Sequence, residues 1–270
     1  MQSLTFVHLI PPFINTRTVS GHCRTTHQNQ NRMKLFYQKY KPVIVFYFLA
    51  CLFSWPFFFW RDIYSDSWNN LNIHIVLKLS LIMWGPGLSA IICSLLFRKQ
   101  TVKTITFFGT SIIKSLLFWG IPMVLFLTFG FKGYGGSYIN FAIYMVGTFI
   151  FTLGEELGWR GFLQDQLNHL PKWKHYLIIG AMWELWHFTT RTLSGNIIAR
   201  LLRPLLFVIP NSLLSWVLGE GVNKSKSIIV AVTLHSWINI LFEFGNVNTY
   251  IIFGLSVPFW IFMLIKWDKS

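Results

Sequence analysis

The amino-acid sequence predicts an all-α protein, a polytopic bundle of about eight transmembrane helices. Apolar residues make up 53% of the 270-residue chain and aromatic residues 18%, whereas charged residues make up only 12%. This composition lies well outside that of an ordinary soluble domain. Unpaired backbone amides are too costly in lipid for any spanning structure except a helix or a closed barrel, and the long unbroken apolar runs lack the alternation of a barrel. The sequence is therefore that of an integral membrane protein built from helices.

The windows that are long and apolar enough to cross a bilayer follow one another along the chain. A hydrocarbon core about 30 Å thick needs roughly 20 residues of helix. The windows lie near residues 41–60, 73–97, 112–130, 138–157, 175–190, 197–218, 227–243 and 249–265, the fifth being the shortest. Gly85, Pro86 and Gly87 interrupt the second window and predict a kink there, because Pro removes one helical hydrogen bond and Gly allows close packing. Short polar or Gly-containing segments separate the others.

The formal charge of +14 comes from basic residues scattered at the ends of these windows. No interleaved basic and aromatic surface is visible, so we expect no nucleic-acid partner. Six Lys and Arg residues between 17 and 41 precede the first window, and the loop after it carries Asp62 and Asp66 against Arg61. By the positive-inside rule the chain is predicted to cross the cell membrane many times with a cytoplasmic N-terminus. The basic residues between 191 and 203 do not fit this pattern.

The chain is expected to contain one folded domain. Residues 1–40 are basic and lack helical patterning, so we predict a disordered cytoplasmic segment in which Met33 is an alternative start. Residues 41–270 then form the transmembrane domain. Cys23, Cys51 and Cys93 have no metal-type spacing and receive no chemical role.

Ionisable and polar side chains are concentrated in apolar sequence between residues 155 and 239. Such groups are expensive at membrane depth, so they usually face the bundle interior, either as a structural network or around a functional cavity. In this chain they are Glu155, Glu156, Arg160, Glu184, His187, His235 and Asn239.

Helical spacing separates the two adjacent glutamates. Glu156 and Arg160 are four residues apart and share a helix face, which predicts a structural ion pair. Glu155 is rotated by about 100° and is followed four residues later by Trp159, so it has no cation on its own stripe. Apolar surroundings make such a carboxylate a stronger base, as general-base catalysis near neutral pH requires.

Two later helices carry the remaining polar groups. A lone His such as His187 is more often a packed core residue than a catalyst, but His235 and Asn239, four residues apart, present two polar groups on one face. Together with Glu155 they are suited to polarising a water and stabilising an oxyanion. Metal binding by the glutamates and histidines remains an alternative, although Glu184 and His187 form only half of a di-iron pattern and HExxH is absent.

Three motifs in this order resemble those of the CAAX protease and bacteriocin-processing family of intramembrane glutamic endopeptidases. They are Glu155-Glu156-x-x-x-Arg160, Trp183-x-x-x-His187 and His235-x-x-x-Asn239. The WGPG at residues 84–87 is also similar to a Gly-Pro in the family's second span. Trp183 stands where the family often has Phe.

The resemblance implies a bundle of about eight helices with a cavity open to the cytoplasm and the bilayer, and it implies residue roles. Glu155 would activate water, and His187 would hold or polarise it. His235 and Asn239 would stabilise the oxyanion, while Glu156 and Arg160 would orient the site.

The function that follows is a membrane-embedded endopeptidase of glutamic type that requires no cofactor. Its partners would be membrane lipid and a peptide or lipidated protein substrate, cleaved in CAAX-type or bacteriocin processing. Two alternatives stay open, a non-catalytic immunity or scaffold protein of the same fold and a metal-dependent membrane hydrolase.

Overall fold

The computed structural model describes residues 17–70, 75–130, 138–187, 197–243 and 245–267. Within these ranges the chain is helical apart from turns, short irregular segments and one isolated parallel bridge between Thr106 and Ser227. The predicted all-α membrane bundle is confirmed.

Eleven α-helices are formed in the described part of the chain. They are α1 (Arg17–Ile63), α2 (Ser65–Asn69), α3 (Ile75–Met83), α4 (Gly85–Leu96), α5 (Ile112–Leu125), α6 (Tyr138–Gly158), α7 (Gln164–Leu167), α8 (Lys172–Trp186), α9 (Ile197–Ser225), α10 (Ile228–Glu243) and α11 (Val247–Ile265). Two π-helical turns, Phe126–Gly130 and Trp159–Leu163, continue α5 and α6.

Among the residues that the structure describes, four helical segments have the length and composition to cross a membrane. They are Tyr37–Ile63, Ile112–Gly130, Leu202–Ser225 and Val247–Ile265. Gly85–Leu96 and Ile228–Glu243 are shorter apolar helices. The predicted windows at 138–157 and 175–190 correspond to α6 and α8, which carry buried polar side chains in addition to apolar ones.

The chain divides into two compact units, Met1–Lys41 and Pro42–Ser270. In the first unit the described residues are helical from Arg17, so helix extends into the segment for which the sequence predicts disorder. Residues 1–16 of that segment lie outside the described residues. The second unit contains the candidate site and every motif quoted above.

The predicted interruption of the second window is present at Trp84. Helix α3 ends at Met83 and α4 begins at Gly85, with Pro86 in its first turn. Pro is favoured there because the first helical N–H groups have no intrahelical acceptor. The sequence therefore predicts this break correctly.

Glycines bring α4 close to α6. A Cβ atom on Gly87 would lie 2.7 Å from the carbonyl oxygen of Gly154, and one on Gly154 would lie 2.9 Å from the Cα of Trp84. Gly154 and Gly158 are four residues apart, the spacing by which small residues allow membrane helices to approach closely. This contact sets the position of the helix that carries Glu155 and Glu156.

Replacing Gly87 with Ala is expected to destabilise the protein by about 1–3 kcal/mol, because the added methyl group meets backbone that must move. Thermal unfolding in detergent measures the change. Gly254→Ala in α11 is the matched control, since nothing lies within 4 Å of the Cβ it would add. Equal stability of the two variants would contradict the close contact.

An aromatic core holds α10 against α5 and α11. The rings of Trp237 and Trp260 are 5.9 Å apart, and those of Phe118 and Trp260 are 5.8 Å apart. Trp260 also donates a hydrogen bond from Nε1 to the Phe118 carbonyl oxygen at 3.0 Å. Because Trp237 lies between His235 and Asn239 in α10, this packing fixes the rotation of the helix that carries both.

Candidate active site

Three helices bring their polar side chains to one buried place. Helix α6 with its π-helical turn supplies Glu155, Glu156 and Arg160, α8 supplies Trp183, and α10 supplies His235. Glu156 and Arg160 are completely buried, and Glu155 is 2% exposed. Since buried charges are stable only with partners, their contacts determine what the site can do.

Glu156 binds two basic side chains through one oxygen. Its Oε1 atom accepts a hydrogen bond from Arg160 NH1 at 2.9 Å and lies 2.7 Å from His235 Nδ1. The Arg160 contact is the ion pair that the i, i+4 spacing predicts. The His235 contact with Glu156 was not predicted, because helical spacing indicates nothing about contacts between different helices.

Glu155 has an uncharged partner. Its Oε2 atom accepts a hydrogen bond from the indole Nε1–H of Trp183 at 2.8 Å. The hydrogen bonds described for Arg160 and His235 are made with Glu156 and Ser215, and not with the Glu155 carboxylate. The two adjacent glutamates therefore differ in environment, with the cation beside Glu156 and a neutral donor beside Glu155.

His235 is oriented by its contact with Glu156. A carboxylate oxygen only accepts hydrogen bonds, so Nδ1 carries a proton. The other ring nitrogen, Nε2, accepts a hydrogen bond when the imidazole is neutral and donates one when it is protonated. The ring of His235 meets the ring of Trp183 edge to face, with centroids 5.1 Å apart. Arg160 and His235 both also act electrostatically on the Glu155 carboxylate, without a hydrogen bond to it.

His187 follows α8 at its C-terminal cap. Its Nδ1 atom lies 3.0 Å from the carbonyl oxygen of Trp183, which again assigns the proton to Nδ1. The His187 ring is 6.0 Å from the Trp183 ring and is half-buried. It therefore lies beside the Glu155 partner, at the more accessible edge of the site.

Asn239 lies one turn after His235 in α10. Its amide Nδ2 donates a hydrogen bond to Thr152 Oγ1 at 3.4 Å. Thr152 is three residues before Glu155 in α6, so Asn239 is placed about one helical turn from the carboxylate. An amide nitrogen has a second N–H, which remains available to a substrate oxygen.

Glu184 is directed to a different neighbour. Its Oε2 atom accepts a hydrogen bond from Asn211 Nδ2 of α9 at 2.6 Å. Among the described residues no group of three or more His, Cys, Asp and Glu side chains is arranged to hold a metal ion. Cys51 and Cys93 are free and buried, whereas the side chain of Cys23 lies outside the described ones.

Two contributors to the site were missed by sequence reasoning. Trp183 was recognised only as an aromatic motif position, although an indole also donates a hydrogen bond. Ser215 of α9 accepts from Arg160 NH2 at 3.3 Å, and nothing in its local sequence marks it. The donor chemistry of Trp183 was a signal that the sequence did contain.

An apolar groove runs along α1 next to α8. Its volume is about 700 Å³. Its walls include Phe48, Leu52 and Trp55 of α1, and Met182 of α8. Met182 directly precedes Trp183 in α8. The groove therefore reaches the helix whose Trp183 donates a hydrogen bond to Glu155.

The comparisons with known proteins agree with the motifs. Residues 136–241 match the family model described as type II CAAX prenyl endopeptidase Rce1-like. The matched range contains all three motifs and the helices that carry them. No curated protein matches the chain.

Proposed function

Because residues 136–241 match the family model of the type II CAAX prenyl endopeptidase Rce1-like proteins, we propose that the protein is a glutamic-type intramembrane endopeptidase whose general base is Glu155. The observation that carries the assignment is the difference between the two glutamates. Glu156 is held by Arg160 and His235, while Glu155 is bonded to a neutral indole. A carboxylate without a bound cation is free to accept a proton from water.

The proposed reaction uses one water molecule. Glu155 accepts a proton from the water while the water oxygen attacks the carbonyl carbon of the scissile peptide bond. The resulting oxyanion is stabilised by N–H groups in a dry cavity, where such dipoles are most effective. Glu155 then gives its proton to the departing amine nitrogen as the C–N bond breaks, which leaves a carboxylic acid and a free amine.

The neighbouring side chains would supply the hydrogen-bond donors and acceptors for these reaction steps. His187, whose Nδ1 faces the Trp183 carbonyl oxygen, would help to orient the water. Protonated His235 and the second amide hydrogen of Asn239 would donate to the oxyanion. Glu156 and Arg160 would hold His235 in place.

A lipidated substrate is the class that the groove supports best. Its lining is almost entirely apolar, and burial of a hydrocarbon chain is favourable at about 0.8 kcal/mol per CH₂. We propose a prenylated or similarly lipidated peptide, presented from the cytoplasmic side of the cell membrane. The charge pattern supports a cytoplasmic N-terminus.

The experiment is an assay of the purified protein in phospholipid vesicles. The substrate is a peptide that ends in a farnesylated Cys followed by three residues, and release of the tripeptide is measured by mass spectrometry. We expect cleavage after the Cys and slower cleavage of the same peptide without the farnesyl group. Equal rates for the two peptides would overturn the lipid requirement. If the protein cleaves neither of them, nor any other apolar peptide, the immunity or scaffold alternative is favoured.

Activity is expected to withstand removal of divalent metals. The proposed chemistry uses only side chains, so dialysis against a chelator should leave the rate of tripeptide release unchanged. Elemental analysis of the dialysed protein is the control for complete removal. Loss of activity that added zinc restores would instead support the metal-dependent alternative.

A further inference from the structure

The indole of Trp183 contacts three ionisable side chains of the site. It donates to Glu155 at 2.8 Å, its ring lies 4.5 Å from the Arg160 guanidinium carbon, and it meets the His235 ring at 5.1 Å. The side chain is 3% exposed. It thus contacts both the carboxylate of Glu155 and the cation that binds Glu156.

We propose that Trp183 is a positioning residue, which holds the Glu155 carboxylate in its catalytic orientation through the indole N–H. This inference rests on the proposed role of Glu155 as general base. The bond occupies Oε2 and leaves Oε1 to face the water. A short charge-assisted hydrogen bond of this kind restricts the carboxylate to one rotamer.

The indole suits this position for two reasons. It donates but never accepts, so it cannot compete with Glu155 for the proton of the water. It also carries no charge, and its π face binds Arg160 instead. The indole therefore contacts both groups, with its N–H on Glu155 and its ring face on Arg160.

The hydrogen bond is a property of this chain. Phe, which the resembling family often has at this position, preserves a ring face but has no N–H. Trp183→Phe therefore removes the bond and keeps the aromatic contacts with Arg160 and His235.

Kinetics of tripeptide release test the inference first. Trp183→Phe is expected to lower kcat by about 10- to 100-fold, the effect of one hydrogen bond to a charged group, with little change in KM. Trp267→Phe is the matched control, because Trp267 follows α11, is 2% exposed and donates its N–H to Thr110 Oγ1 at 2.9 Å, away from the site. It should cost stability and leave kcat unchanged.

Coupling to Glu155 distinguishes positioning from a general packing role. In the Glu155→Gln background, the added Trp183→Phe change should cause no further loss of kcat. A structural role would instead lower kcat by the same factor in both backgrounds.

A second measurement does not depend on activity. In protein with nitrogen-15 labelled indoles, the Trp183 N–H resonance is the one that is missing from Trp183→Phe. We expect this resonance to shift in Glu155→Gln and to stay in place in Glu184→Gln. An unshifted resonance in Glu155→Gln would overturn the inference, and so would a Trp183→Phe kcat equal to that of the unaltered protein. Failure of the unaltered protein to cleave any peptide would instead overturn the proposed function. In that case the resonance measurement alone would test the hydrogen bond between Trp183 and Glu155.

Discussion

Glu155→Gln is expected to lower kcat for peptide hydrolysis by about 10²- to 10⁴-fold, the range that one general base contributes. The change is nearly isosteric, and the Gln amide oxygen can still accept the hydrogen bond from Trp183. What is lost is the capacity to take a proton from water and return it to the leaving nitrogen. We therefore expect a folded protein that binds substrate but hydrolyses it slowly.

The measurement is tripeptide release at saturating substrate, together with thermal unfolding of each variant. Glu184→Gln is the control, since it removes another buried carboxylate from the same bundle, and that carboxylate is bonded to Asn211 outside the site. Its turnover should stay close to that of the unaltered protein. Full turnover by Glu155→Gln would disprove the assignment of the general base.

The adjacent glutamate provides a further comparison. Glu156→Gln weakens the contacts with Arg160 and His235, so it should lower the folded yield more than the turnover of each folded molecule. The opposite result, with Glu155→Gln unstable and Glu156→Gln folded but inactive, would exchange the roles of the two residues.

Arg160→Met is expected to destabilise the protein by about 3–5 kcal/mol, because it leaves a buried carboxylate without its cation. The Oε2 atom of Glu156 already has no hydrogen-bond partner among the described residues. The Arg160 side chain also donates to Ser215 and packs on Trp183. Met keeps much of the volume, so the predicted loss is mainly electrostatic.

The double variant Glu156→Gln/Arg160→Met isolates the ion pair. Removing both charges leaves neither member of this pair as an unpaired ion, so the double variant should be more stable than the two separate losses predict. Thermal or denaturant unfolding in one detergent provides the values. Simple additivity of the two losses would show that the pair contributes no coupling and that Arg160 acts through its other contacts.

The fold class and the local part of the site were readable from the sequence. Hydropathy identifies helices in a membrane because the bilayer offers the backbone no hydrogen-bond partner. The break before Gly85 follows from the covalent restriction of Pro. The Glu156–Arg160 pair follows from helical periodicity, which places residues four apart on one face whatever the surroundings.

Relations between helices were decided only by tertiary packing. The contact of Trp183 with Glu155 joins positions 28 residues apart, and that of His235 with Glu156 joins positions 79 apart. Periodicity fixes directions within one helix, but the depth and rotation of its neighbours depend on contacts such as Gly87 against Gly154 and the aromatic core behind α10. Helical spacing in the sequence alone thus predicts that Glu156, and not Glu155, pairs with Arg160. Only the packed bundle determines that the Trp183 indole donates to Glu155 and that His235 binds Glu156.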